Sequence, residues 1–439
     1  MTGTPKNSPA GSSEPAPYPG AKGALALLLF INLFNYIDRY ILAAVEPAIR
    51  AEFLAADDPQ AKAKMGLLAT AFMVSYMLLS PVFGILADRV HRWTIVGIGV
   101  ILWSLASGAA GVATTFTILL ITRIFVGVGE AAYGPTAPTL ISDMFPVSRR
   151  GSVMAWFYMA IPVGSALGYA FGGLVASHFT WHWAFYLVVP PGIILGILSF
   201  MMKDPPRGNA DAAHARKAGR PSLADYAEIF RVPSYVYNTV GMTAMTFAIG
   251  GISFWMPTYI SEFRGQPDLG RVNMIFGAIT VVAGLSATLL GGITADKLRT
   301  RFPGSYFLVS GVSMLVGFPF FVGVLYAPFP LAWVFMFFAV FCLFFNTGPS
   351  NTITANVTRP HVRATAFAIT ILSIHILGDA ISPPIIGAIT DATKSAAHTE
   401  GNMNTAFMVV GLAILLGGVI WLLGARHLAR DTAAASGTA

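Results

Sequence analysis

Gly84-Ile85-Leu86-Ala87-Asp88-Arg89-Val90-His91-Arg92 is a short polar break between two apolar runs. A second break, 208 residues further on, repeats its glycine, aspartate and cation as Gly292, Asp296 and Lys297. Pro146, Arg149, Gly164 and Gly173 are echoed in the same way by Pro360, Arg363, Gly378 and Gly387, each displaced by 214 residues. Four matches in one register point to a duplicated chain, an arrangement expected when a substrate site lies between two rocking bundles. In each copy, glycine lets two helices approach, and an aspartate at a helix start beside arginines suits a latch that must break on opening.

Outward from these breaks the chain is membrane-like. Its 439 residues are 55% hydrophobic and 11% charged, about half the charge of a soluble domain. Apolar runs of roughly twenty residues, enough to cross about 30 Å of hydrocarbon as a helix, follow one another throughout. Reading them between polar breaks gives twelve spans, near 22–44, 64–87, 93–113, 116–140, 150–175, 183–202, 234–261, 271–294, 305–326, 330–355, 363–390 and 404–425. The fold class is therefore an all-α membrane protein of twelve transmembrane helices in two six-helix bundles. Residues 1–21 read as a disordered cytoplasmic tail, 22–202 as the first bundle, 203–231 as a linker, 232–427 as the second bundle and 428–439 as a C-terminal tail.

Charge orients the spans. Nineteen of the 27 Lys and Arg residues fall in the termini and even-numbered breaks, so both termini are expected in the cytoplasm. This topology also accounts for the net charge of +7 without nucleic acid, since the basic residues cluster between spans rather than along one face. The first twenty residues lack an apolar h-region, so the first span is expected to serve as its own anchor. Cys342 is the single cysteine and leaves no intrachain disulfide. In the linker, Leu223, Tyr226, Ala227 and Phe230 recur at helical spacing, which suits a surface helix; a flexible tether is the alternative.

Charges at bilayer depth carry the functional signal, because each costs roughly 2.5–3.5 kcal/mol even on permissive scales and so needs a partner, water or a job. Asp38, Arg39, Arg123, Glu130 and Asp379 are the clear cases. Arg123 and Glu130 share a helical face but stand about 10 Å apart along the axis, so each needs a partner elsewhere. An Arg39 to Glu130 contact is expected. Three carboxylates then face two arginines, and the surplus acid can bind a proton; Asp38 is assigned that role, with Glu130, Asp379 and His375 completing the proton-coupling set. His375 lies one turn from Asp379, where it can relay a proton, meet an anionic headgroup, or form a structural pair. Arg39, always charged and able to hold a phosphate through two hydrogen bonds, is the expected headgroup ligand.

An amphipathic substrate also needs an apolar wall, for which Phe335, Phe337, Phe338, Phe341, Phe344 and Phe345, with Phe247, Phe254 and Trp255, are candidates beside polar Asn346, Thr347, Ser350 and Asn351. Pro257, Pro349, Pro383 and Pro384 mark expected hinges.

The Gly84 to Arg92 loop resembles the signature loop of the major facilitator superfamily, with His91 where glycine is usual, and Arg123-Ile-Phe-Val-Gly127-Val-Gly129-Glu130-Ala131 resembles its second motif. More narrowly, three stretches are similar to the Spinster family: Asn35-Tyr36-Ile37-Asp38-Arg39; Gly127 to Tyr133 with Ala137-Pro138 and Asp143; and His375-Ile-Leu-Gly378-Asp379-Ala-Ile-Ser382-Pro383-Pro384. The resemblance implies the major facilitator fold and export of lysophospholipids or sphingoid phosphates, in some members with a proton. Taken with the intramembrane polar residues, the resemblance makes Arg39, Arg123, Asn35, Tyr36 and Tyr133 candidate substrate contacts, and the polar end of span ten adds Asn346. The resemblance also implies a cytoplasmic gate of Gly84, Asp88, Arg89, Arg92, Asp143, Asp296 and Lys297.

No Gly-Lys dipeptide and hence no Walker loop occurs, and neither a Gly-x-Ser-x-Gly elbow nor a His-Glu-x-x-His pair is present. The expectation is therefore not an enzyme but a secondary active transporter working by alternating access, without metal or cofactor. Its partners are an amphipathic anionic lipid, protons and the surrounding membrane lipids, and it acts as a monomer in a bacterial inner membrane. The alternative is a proton-driven carrier of drugs or small organic acids.

Overall fold

A computed structural model describes residues 17–207, 228–359, 362–395 and 399–436. Among these residues all regular structure is helical, and twelve helices are long and apolar enough to cross a membrane: Ala21–Ala44, Ala61–Ala87, Arg92–Gly111, Phe116–Met144, Ser152–His178, His182–Phe200, Pro233–Phe263, Leu269–Arg299, Ser305–Tyr326, Leu331–Val357, Thr365–Ala392 and Met403–Ala435. They are called spans one to twelve below. The first and last of the described residues lie on one face, here the terminal face; the opposite one is the far face.

Side-chain caps set several span starts. Thr115 accepts from the Ile118 amide ahead of span four, Asp268 from Arg271 ahead of span eight and Asn402 from Thr405 ahead of span twelve, each satisfying an amide that the first helical turn leaves unpaired. The segment after span twelve's apolar core stays helical over Leu428–Ser436, and Asp431 accepts from the Ser234 amide at the start of span seven. Of the linker, Leu223, Tyr226 and Ala227 lie outside the described residues, as does Pro360 of the repeat.

The two halves meet over the far half of the membrane and part toward the terminal face. Span two crosses span eleven so closely that a Cβ on Gly66 would lie 2.5 Å from the Pro384 nitrogen, and one on Gly387 would lie 2.4 Å from the Lys62 carbonyl. Only glycine permits that approach. Spans five and eight cross in the same way, and Asn273 reaches the Ala44 carbonyl at 2.9 Å.

The prolines expected as hinges have a different role in this state. Proline has no amide hydrogen, so it frees the carbonyl four residues earlier in its helix. Pro384 frees Ala380, whose carbonyl accepts the Thr70 hydroxyl of span two at 2.6 Å. Pro257 frees Ser253, whose carbonyl accepts the Tyr169 hydroxyl of span five. Both bonds run from the first half to the second. Spans seven and eleven are also distorted here, with π-helical turns at Tyr259–Phe263 and His375–Asp379.

Thr70→Val and Tyr169→Phe each remove one donor while keeping the packing. Each is expected to shift the equilibrium toward far-face opening by about 1 kcal/mol, roughly fivefold. Double electron–electron resonance between far-face labels checks this, and an unchanged distance distribution in both variants contradicts it.

Candidate functional site

Where the halves part, a chamber of about 660 Å³ opens toward the terminal face. Its floor is Arg39, and a second compartment of about 200 Å³ lies on the other side of that side chain. The wall is aromatic and aliphatic: Tyr76, Phe157, Tyr158 and Ile161 from the first half face Ile369 and Leu372 from the second.

Arg39 is held between spans one and four. Its Nε donates to Glu130 Oε2 at 2.7 Å and its Nη2 lies 2.5 Å from the same oxygen, which is the contact expected from the sequence. The rings of Phe72, Tyr36 and Tyr76 stand 4.8, 4.9 and 5.3 Å from the guanidinium, a cation-π cage that stabilises charge where water is scarce. Glu130 is buried, and its other oxygen has no hydrogen-bond partner; neither does the Asn35 amide nitrogen nearby. Arg39, Glu130 and Asn35 all border the chamber, so the ion pair forms part of its wall.

Asp38 points the other way, into the first bundle, where the Ser107 hydroxyl donates to Oδ1 and Oδ2 is unpartnered. Arg123, also buried, lies within electrostatic reach of Asp38 and lines the deeper compartment, with Nε and Nη2 unpartnered and the Phe185 ring 5.3 Å away. Asp38 lines neither compartment, whereas Glu130 lines the chamber. In span eleven, His375 Nδ1 sits 3.0 Å from both Asp379 oxygens, and its ring meets Tyr76 edge-on at 6.4 Å across the halves.

Other expected residues stand elsewhere. Asn346 lines neither compartment: it is fully buried at the break in span ten and donates to its own helix at the Leu343 carbonyl. Tyr133 lines the chamber, but its hydroxyl is committed to the Leu28 carbonyl at 2.8 Å. The phenylalanines of span ten mostly stack on one another and on Phe320 of span nine. Of the expected apolar wall, Phe254 reaches the deeper compartment.

The signature loop is latched within its own half. Buried Arg92 pairs with Asp143 at 2.5 Å and Asp204 at 2.7 Å and donates to the Pro205 carbonyl at 2.6 Å. Arg207 binds the Ala87 and Val90 carbonyls at 2.9 and 2.6 Å. Asp88, Arg89, Asp296 and Lys297 are exposed and form no ion pair among the described residues, although Asp296 accepts the Tyr306 hydroxyl. The expected gate residues thus do not bridge the halves, because Gly84 and its neighbours border the open mouth of the chamber.

The bridging charges lie at the far face, where sequence reading assigned cations only to topology. Buried Lys62 donates to the Glu400 carboxylate and carbonyl, both at 3.0 Å. Arg50 links Glu46, in the same half, to Glu262 of span seven, and Thr258 donates to Glu46 at 2.7 Å. Asp391 accepts the Ala63 amide at 2.9 Å. The partners that cross between the halves are more than 200 residues apart in the chain.

Twelve spans in two duplicated bundles, enclosing a charged chamber open to one face, define a transporter of the major facilitator class. The profile described as Major Facilitator Superfamily matches residues 28–383. Within that class, the chain is 36% identical over 435 residues to "Protein spinster homolog 3" of Danio rerio, covering 94% of this chain and 86% of the relative. It is 33% identical to "Sphingosine-1-phosphate transporter SPNS2" of Danio rerio over 433 residues, 93% and 84% of the two chains. A crystal structure described as a bacterial homologue of the human lysosomal transporter Spinster, inward-facing and unoccupied, superposes with a TM-score of 0.81 at 21% identity, covering 94% of this chain and 98% of that one. The chain belongs to the Spinster family of the major facilitator superfamily, a family of multi-pass membrane transporters and not of enzymes.

The Lys62 hydrogen bond holds the Glu400 carboxyl below the usual carboxylate range. A depressed carboxylate favours its paired state above its unpaired pKa, and that contribution is lost as pH falls through the lowered value. Lys62→Gln is therefore expected to increase reaction of an introduced far-face cysteine with a membrane-impermeant maleimide severalfold at pH 7. Acidification below the carboxylate range is expected to lengthen the distance between far-face spin labels in the chain that keeps Lys62, and to add little in the variant.

Proposed function

We propose that the chain carries a single-chain anionic amphiphile, of the lysophospholipid or sphingoid phosphate kind, by alternating access and together with a proton. The observation that carries this reading is Arg39, bound to one oxygen of Glu130 at the boundary of two compartments and surrounded by rings. A phosphate presented to Arg39 competes with Glu130 for the guanidinium. Two anions on one buried cation are unfavourable, so Glu130 takes a proton as the phosphate binds. Anion and proton then travel together, and the direction of net flux follows their combined gradients.

The apolar wall suits one acyl or sphingoid chain, since about 660 Å³ is generous for a small acid. The printed name of the sphingosine-1-phosphate transporter, a relative at 33% identity, supports the same substrate class. In this scheme Asp38, beside the fixed charge of Arg123, is a second, deeper carboxylate that can receive the proton once the chamber closes, with His375 and Asp379 as the counterpart in the second half. The excess of Lys and Arg at the terminal face supports an orientation with both termini in the cytoplasm, so the described state is open inward.

Flux of a fluorescent lysophospholipid in proteoliposomes tests the proposal. The native chain is expected to show flux accelerated by a pH gradient. Arg39→Ala should reduce it at least a hundredfold, by loss of headgroup binding. Glu130→Gln and Asp38→Asn should keep downhill exchange and lose the response to the gradient. Absence of lysolipid flux, with uptake blocked instead by a small hydrophilic acid, would replace this reading with an organic-acid carrier.

A further inference from the structure

Apart from the chamber, a cavity of about 370 Å³ lies in the second half at the terminal face, where spans seven and twelve and the end of span ten converge. Pro233 is the first residue of span seven and Val357 the last of span ten, which puts the cavity at headgroup depth. Its base is apolar, formed by buried Ile229, Val357 and Val362. Its rim carries three arginines, Arg231, Arg359 and Arg430.

The rim charges are unequally used. Arg359 contacts Glu228 at 3.1 Å with both side chains about half exposed, a pair of small energetic value in that setting. Arg430 contacts Asp431 at 3.0 Å, and Asp431 also accepts the Ser234 amide. Arg231 is exposed and makes no ion pair among the described residues. Beside it Phe230 projects with 58% of its surface exposed, its ring edge-on to Tyr235. An exposed aromatic next to arginines at the end of a membrane span is suited to the bilayer interface, the ring among acyl chains and the guanidiniums among phosphates. Basic pockets between spans at this depth hold acidic headgroups.

We infer that this cavity is a binding site for the phosphate headgroup of an acidic phospholipid of the surrounding leaflet, separate from the transport chamber, with Arg231 and Arg359 as the principal ligands. The bound lipid ties together the ends of spans seven, ten and twelve, and so stiffens the second bundle as a unit that moves against the first.

The test is the thermal stability of the purified full chain in neutral detergent, titrated with short-chain phosphatidylglycerol, phosphatidylcholine or glycerol 3-phosphate. Phosphatidylglycerol is expected to raise Tm saturably and phosphatidylcholine to leave it unchanged. Arg231→Gln, which breaks no ion pair among the described residues, is expected to bind phosphatidylglycerol about tenfold more weakly, with its Tm in neutral detergent unaltered. Arg231→Gln/Arg359→Gln should weaken it further, whereas Arg301→Gln, on the same face outside the cavity, should leave it as it is. Equal binding by the Arg231 variants and the native chain, or equal stabilisation by phosphatidylcholine, would overturn the site. Full stabilisation by glycerol 3-phosphate would overturn its assignment to a lipid in favour of a soluble phosphate.

Discussion

A guanidinium cannot stand alone in hydrocarbon, and the interior of this transporter is arranged around that constraint. Arg39 is charged at any physiological pH, so the chain must supply an anion, a cage of rings, or both. It supplies Glu130 from span four and the faces of Tyr36, Phe72 and Tyr76. The pair thereby fixes spans one, two and four around one point, and that point forms the floor of the chamber. Removing one member of such a pair leaves a buried charge uncompensated, the imbalance on which the proposed headgroup and proton act.

The rest of the architecture keeps the chamber open on one side. At the far face the halves are joined by glycine-mediated crossings, by carbonyls that proline frees for hydroxyls of the opposite half, and by ion pairs around Lys62, Arg50 and Glu46. Each contact is modest, and each can be made only at close approach. Their sum favours a closed far face without making it permanent, as alternating access requires. At the terminal face, by contrast, the Arg92 cluster braces the first half internally and the linker residue Arg207 is bound to the same loop, leaving the mouth clear.

How legible this was varies by level. The number of spans, their duplication and the asymmetry of basic residues follow from hydropathy and local spacing, which are one-dimensional properties. The contact between Arg39 and Glu130 was also within reach, because the cost of intramembrane charge demands a partner and few were on offer. The far-face bridges were not. Lys62 and Glu400 sit at span ends, where charge is unremarkable, and nothing local to either announces the other. Asn346 illustrates the opposite failure: a polar residue in an apolar run reads as cavity-facing, yet a helix break buries it with its amide nitrogen on the Leu343 carbonyl.

The sequence by itself determined that this chain is a twelve-span, duplicated membrane transporter with a charged centre, because bilayer thickness and the cost of buried charge act on each segment separately. Tertiary structure decided which charges meet, that Glu130 rather than Asp38 faces the chamber, that the second-half aromatics mostly pack on one another, and which face is closed. Those outcomes depend on how two bundles cross, and crossing is set by contacts between residues far apart in the chain, whose pairing no local pattern encodes.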